Sequence, residues 1–490
     1  MSAPATSLGE ALAALAGTHP DLPAITCGER TVTWAELERT TNRLARDYQA
    51  RGVAPDSFVT IMVPNSIGFF EAALATWKCG ATPQPISNRL PVAERDAIIE
   101  LAQPSLVVGS PGESIAGALS VPLGHVADAG LDDSPLAPLI ASAYKAPTSG
   151  GSTGRPKLIV AGHPATMQTF APTFALTRMQ QGGVHLCTGP LHHNGPFLFS
   201  MTALFHGNHI GVMERFDAAA ALELVERYGV DWMYMVPTTM GRVWRLDPAI
   251  RESRDVSSLR TVFHTAAPCP PWLKQAWIEW IGGEKIVEIY AGTEGQAVAG
   301  IDGNEWLAHP GSVGRAIGGE FMVRDADGND LPAGEVGTIW MRNPNPRPTY
   351  RYIGATARTM DGGWETLGDL GRIDEEGYLF LSDRETDMIL VGGSNVYPAE
   401  VEAALSEHPL VGDACVIGLP DDDLGAVPHA VVFLTGDVSD DELREHVRSR
   451  LAPYKTPRSF ERVTERLRDD AGKMRRSALR AERLPNANRA

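Results

Sequence analysis

Hydrophobic positions along the chain alternate between two rhythms. Short apolar runs bounded by Gly, Ser or Pro predict buried strands: "SFVTIMV" (57–63), "SLVVG" (105–109), "GVHLCTG" (183–189), "WMYMVP" (232–237), "LRTVFHTAA" (259–267) and "KIVEIYAG" (285–292). Between them, apolar residues at three- and four-residue spacing predict helices: "SIGFFEAALATWKCG" (66–80), "DAAAALELVERYG" (217–229) and "PWLKQAWIEWIG" (271–282). Near the start, Thr33 followed by Glu36 forms a capping-box signature for a helix that Gly52 should stop. This alternation predicts mostly parallel α/β sheets.

From about Gly311 the pattern changes to Gly-punctuated strands with turns such as "DADGND" (325–330) and "DEEGY" (374–378), which predict an antiparallel portion. After "LSDRETDMIL" (381–390) comes a short α+β pattern. It has helices at "PAEVEAALSEH" (398–408) and "DDELREHVRSRL" (440–451), and strands in "DACVIGL" (413–419) and "HAVVFL" (429–434). The expected division is therefore a large domain over residues 1–383 and a small α+β domain over 384–490.

Composition narrows the function classes. The chain has 490 residues, 43% hydrophobic, enough for a large core and for more than one domain. Its formal net charge of -17 argues against general nucleic-acid binding. Cys27, Cys79, Cys187, Cys269 and Cys415 are scattered without a CxxC pair, so neither a zinc site nor a disulfide framework is indicated. No apolar run reaches the ~20 residues that span a bilayer, and the start lacks a basic signal region. A soluble cytoplasmic protein is expected.

Four loops carry candidate chemistry. "TSGGSTGRPKLIV" (148–160) offers backbone N–H groups and hydroxyls suited to a phosphate. It is not a Walker A loop, because Arg155 and Pro156 separate Gly154 from Lys157. "EIYAGTEG" (288–295) follows a strand, where α/β sheets bind ligands, and Glu294 supplies a hard oxygen suited to Mg²⁺. Asp369 in "TLGDLG" could accept from ribose hydroxyls, and the guanidinium of Arg384 could hold ribose or phosphate. In "LRDDAGKMRRSAL", Lys473 follows Gly472 and could carry a point charge to a phosphate. Taken singly, each of these is equally an ordinary polar turn or a solvated surface charge.

In this order the four loops resemble the adenylate-forming superfamily of acyl-CoA synthetases, nonribosomal-peptide adenylation domains and firefly luciferases. The resemblance runs from "TWAEL" to "GKMRR". It implies a large N-terminal domain of two α/β sheets and a distorted β-barrel, with a small mobile C-terminal lid. It implies ATP, Mg²⁺ and coenzyme A as cofactors, and a carboxylic acid or its acyl-adenylate as partner; a homodimer stays open. By the same resemblance, Ser152, Thr153 and Gly154 contact phosphate, and Thr293 and Glu294 serve ATP and Mg²⁺. Tyr290 lies against adenine beside the "TAAPCP" segment that contains Ala266 and Ala267. Asp369 and Arg384 bind ribose, and Lys473 joins the acyl carboxylate to the α-phosphate. His193 in "GPLHHNGPF" lies at the floor of the acyl pocket, and Gly392 and Gly393 line the pantetheine tunnel.

The likeness is greatest to ligases for bulky cyclic acids, of the bile-acid and platensimycin-type diterpenoid kind. Small residues at Ala266, Ala267 and Gly292 would leave room for a wide acid. Leu158, Ala291, Thr386 and Leu467 depart from the common pattern of the superfamily, so thioester formation from a supplied acyl-adenylate alone stays open. Loading of a carrier protein also stays open, although Asp231 is a weak anchor for an amino acid. A catalytically silent nucleotide-binding protein is disfavoured, because Glu294, Asp369, Arg384 and Lys473 are all present.

Overall fold

The structure, a computed structural model, describes residues 5–110, 112, 114–150, 156–345 and 347–484. Near the start, the helix Trp34–Ala50 begins at Thr33, whose hydroxyl accepts from Glu36 N–H while the Glu36 carboxylate accepts from Thr33 N–H. That helix packs on Ile67–Lys78, whose Phe69, Phe70 and Trp77 are fully buried. Ile67–Lys78 in turn packs on a first sheet in which Thr82–Pro85, Phe58–Ile61, Leu106–Ser110 and Ala118–Pro122 run parallel.

A second sheet holds the strands Pro23–Cys27, His209–Val212, Val184–Cys187, Trp232–Met235, Thr261–His264 and Ile286–Ala291, all parallel and adjacent in that order. Every residue of Trp232–Met235 and Thr261–His264 is buried. Strands covered on both faces favour apolar runs; Trp232–Met235 supplies one throughout, and Thr261–His264 departs from it only at its buried end residues Thr261 and His264. The helices Ala218–Tyr228 and Pro271–Ile281 close one face, with Asp217 capping the first and Gly229 ending it in the left-handed region.

The antiparallel strands extend this same sheet. Ile286–Ala291 pairs with Val298–Asp302, then follow Ser312–Gly318, Leu379–Arg384, Asp369–Ile373 and Gly337–Arg342. The expected distorted barrel therefore takes the form of an open continuation, and no strand pairing among the described residues closes it. Gly314 makes the crossing possible: its φ is +95°, and a Cβ there would sit 1.9 Å from the carbonyl oxygen of Gly300.

Beyond Arg384 the chain enters a separate sheet of Ser394–Val396, Ile389–Val391, Gly425–Leu434 and Val411–Asp421, with Ser459–Val463 parallel to Gly425–Leu434. It has its own apolar core of Val401, Leu405, Val416, Val432 and Leu443. Arg476 braces the entry to this region, reaching Asp387 at 2.6 Å, Glu402 at 2.7 Å and Asp383 at 3.5 Å. No helix among the described residues is long and apolar enough to cross a membrane.

Candidate functional site

Strand register brings the first pair of site residues together. Asp369 opens one strand and Arg384 ends the next, and the two are direct cross-strand partners. Arg384 Nε lies 3.3 Å from Asp369 Oδ1, and the Tyr290 hydroxyl donates to Asp369 Oδ2 at 2.6 Å. Burial, reinforced by the Asp369 charge, holds the Tyr290 phenol well above its usual range, so it stays a neutral donor. An acidic acceptor, a guanidinium and an aromatic ring thus meet on one face of the antiparallel strands.

Glu294 is buried two residues beyond Gly292. The Tyr352 hydroxyl donates to Glu294 Oε1, and Lys157 Nζ stands 3.6 Å from the same oxygen. Lys157 also lies 4.0 Å over the Tyr352 ring. These contacts follow from strand pairing, because Tyr350–Ile353 runs antiparallel to Pro156–Ala161 with Tyr352 opposite Ile159. The Gly/Ser loop therefore leads into a lysine that faces the Glu294 carboxylate. Ser152, Thr153 and Gly154 lie outside the described residues. Thr293 is half-buried in the turn between. No group of three or more His, Cys, Asp or Glu side chains that could cage a metal occurs among the described residues. A buried carboxylate beside a phosphate-type loop instead fits Mg²⁺, which typically takes one or two carboxylates and completes its shell with phosphate and water oxygens.

The third component comes from the C-terminal region. Asp469 closes the loop that carries Lys473: its carboxylate accepts from the N–H groups of Ala471 and Lys473, both at 2.9 Å, and its own N–H donates to Lys473 O at 3.0 Å. Gly472 makes the turn with φ +72°, and a Cβ there would lie 3.3 Å from Thr238 Oγ1. The loop is docked on the large domain by His193 Nε2, 3.4 Å from Asp469 Oδ2, and by Arg242 Nη1, 2.6 Å from Asp470 Oδ1. Lys473 keeps solvent access at the rim, yet the protein packed around it lowers its pKa; Arg384 adds to this, while the Asp469 and Glu294 carboxylates oppose it. His193 and its neighbour His192, whose tilted rings lie 4.3 Å apart between centres, are both pushed down by burial, His192 to about 3. Both imidazoles are therefore neutral at neutral pH.

The remaining candidates divide. Ala266 has φ +79°, a left-handed geometry that costs a non-glycine residue of order 1 kcal/mol, and Ala267 follows it half-buried. The expectation that Gly292 leaves room for an acid is corrected. A Cβ there would meet Leu367 Cδ1 at 2.5 Å, so the missing side chain serves packing against Leu367. Gly392 and Gly393 form the left-handed turn between Ile389–Val391 and Ser394–Val396, and Gly392 N–H bonds to Leu424 O within the small sheet. Beneath the site, the fully buried Lys274 ammonium bonds to Glu288, two residues before Tyr290. Sequence reasoning missed Tyr352, Asp469 and Arg242. Asp469 lies in the loop singled out for Lys473, whereas Tyr352 reaches Glu294 only through strand pairing.

A family model described as "AMP-binding enzyme" matches residues 12–351, and "AMP-binding enzyme C-terminal domain" matches residues 400–473. The chain belongs to the AMP-binding enzyme family. It is an AMP-forming acid–thiol ligase, and ATP, Mg²⁺ and coenzyme A are the cofactors of that class. A feruloyl-CoA synthase of Amycolatopsis is 33% identical over 462 residues, covering 91% of this chain and 93% of that protein. A fatty acid–acyl-carrier-protein ligase of Streptomyces coeruleorubidus is 29% identical, covering 94% and 93%. The fold is shared with o-succinylbenzoate CoA synthetase of Bacillus subtilis bound to its acyl-adenylate intermediate. That structure superposes with a TM-score of 0.81 at 24% identity, covering 96% of this chain and 97% of that one.

Proposed function

We propose that the chain joins a bulky, cyclic or otherwise hydrophobic carboxylic acid to coenzyme A through an acyl-AMP intermediate. The observation that carries this reading is the docking of the Lys473 loop against His193 and Thr238, in the cleft that holds Glu294, Asp369 and Arg384. In the first step a carboxylate oxygen attacks the α-phosphorus of ATP and pyrophosphate leaves. Lys473 offsets the charge that grows there, and Asp369 accepts from the ribose hydroxyls while Tyr290 packs by the base. Glu294 would hold Mg²⁺, whose charge would supply neutralisation for the leaving phosphates. In the second step residues 384–490 turn as a lid about the stretch after Arg384. Lys473 withdraws and the Gly392–Gly393 turn meets the thiol, which attacks the acyl carbonyl and expels AMP.

The name of the feruloyl-CoA relative supports a ring-bearing acid. The name of the carrier-protein ligase makes a tethered thiol the second acceptor to test. Five cysteines without a disulfide support a reducing, cytoplasmic setting. The deciding experiment is mass spectrometry of products from a panel of cyclic and linear acids with ATP, offered coenzyme A or a pantetheinylated carrier, alongside synthetic acyl-adenylates with coenzyme A. Acyl-CoA from free acid is the expected product. Product only from supplied adenylates would replace the two-step reading with thioester formation alone, and product only on the carrier would replace the acceptor.

A further inference from the structure

The helix Asn194–Phe205 begins at His193, whose side chain makes no capping hydrogen bond. Its second residue is Gly195. A Cβ there would fall 2.6 Å from the hydroxyl oxygen of Tyr234, so glycine at this position is what lets that hydroxyl reach the helix's first turn. The Tyr234 ring is wedged between Gly189, Pro196 and Phe199, 5.5 Å from the Phe199 ring centre. The residue is 97% buried, being 3% exposed. Among the described residues nothing bonds to its hydroxyl, while its backbone takes part in the strand ladder and its carbonyl also accepts from the Thr188 hydroxyl. The oxygen is nevertheless not among the sealed, unpartnered polar atoms of the interior, so it borders open space. Burial pushes its pKa up, leaving a neutral donor. A neutral hydroxyl that protein groups leave free at the edge of open space is available to bond a polar atom that enters there.

Its direction follows from the strand. Tyr234 and Val236 are two residues apart in extended chain, so they share a face. Val236 borders the lid loop, lying 3.5 Å from where a Cβ of Gly472 would be, next to Lys473. Tyr234 therefore sits about 7 Å along the strand from Val236, on the same face, given ~3.3 Å per strand residue. Behind the same turn, the buried ammonium of Lys145 bonds to the side-chain oxygen of Asn194, with no carboxylate partner among the described residues. A buried cation there favours an electron-rich group nearby.

We propose that Tyr234 is a specificity-determining residue: its hydroxyl donates to an oxygen on the acid, a ring ketone or hydroxyl remote from the carboxylate, and so selects oxygenated over plain hydrocarbon frames. This rests on the acid-activating reading above. The test compares kcat/KM for cinnamic acid against para-hydroxycinnamic acid, and for a decalin carboxylic acid against its ring-ketone analogue. It uses the full chain and the variants Tyr234→Phe and Gly195→Ala. A site built to bond a substrate oxygen discriminates strongly against the analogue that lacks it, so the full chain should prefer at least one oxygenated partner by ~10-fold or more. Both variants should collapse that ratio towards one, Gly195→Ala because its methyl group displaces the hydroxyl. A ratio unchanged in Tyr234→Phe, with both rates lowered alike, would show a packing role and overturn the assignment. Equal efficiency of the full chain on both members of both pairs would also overturn it while leaving the ligase reading standing. Failure of every acid to yield acyl-AMP or thioester overturns the ligase reading and this proposal with it.

Discussion

Replacing Lys473 by alanine separates the two half-reactions. The loop that carries it is held by main-chain bonds to Asp469 and by the left-handed Gly472, none of which uses the lysine side chain. Lys473→Ala should therefore fold and dock as before, losing only the ammonium. Removing one preorganised charge-stabilising donor costs about 2.7–4 kcal/mol in a well-measured case, or ~100- to 1000-fold in rate. Arg384 is close enough to act on the charge of Lys473, and it remains in the variant. Part of the local field thus survives, which places the expected loss at the lower end, ~100-fold. Adenylation is read by acid-dependent exchange of labelled pyrophosphate into ATP. The second step is read separately by the conversion of supplied acyl-adenylate and coenzyme A to thioester, which should stay close to the unmodified rate. An equal fall in both steps would refute the alternating role of this lysine. So would a loss of exchange below about tenfold, which is only ~1.4 kcal/mol.

Asp369→Ala removes the acceptor shared by Tyr290 and Arg384. With charged hydrogen bonds worth about 1.5–3 kcal/mol, calorimetry should show acyl-adenylate binding weakened by roughly one to two orders of magnitude, and equal affinity would remove the ribose assignment. Adenylation should also fall at alkaline pH, because it needs the ammonium form of Lys473, whose pKa is lowered from 10.5 by the protein packed around it. The descending limb should lie below that value and be absent in Lys473→Ala; a limb at or above 10.5 would contradict the crowded site. Lys274→Met should destabilise the fold by about 3–5 kcal/mol in urea unfolding, because Glu288 is left buried without its cation. Adding Glu288→Leu should recover most of that loss; a single variant within ~1 kcal/mol of the unmodified chain would mean that water reaches the pair.

Local sequence determined the elements and the loops between them. The strand at 232–235 is apolar throughout, and those at 261–264 and 286–291 are mostly so, broken by Thr261, His264 and Glu288; that bias is visible in one dimension. The Thr33–Glu36 cap and the Asp217-to-Gly229 helix limits are likewise short-range chemistry, written within a few residues. Candidate groups at 294, 369, 384 and 473 were legible by type and by order. Their meeting was not. Asp369 faces Arg384 through one strand register, and Tyr352 reaches Glu294 because a strand 190 residues after Lys157's own lies beside it, a separation that exceeds any periodic signal. The same holds for Gly292, whose small size reads as open space until Leu367 is seen to fill it, and for Gly195, whose missing side chain admits the Tyr234 hydroxyl. A sequence specifies which face of each strand and helix is apolar, because that depends on neighbours along the chain. Which polar group stands opposite which depends on pairing register and on loop closure between distant segments, and only the packed tertiary structure decides that.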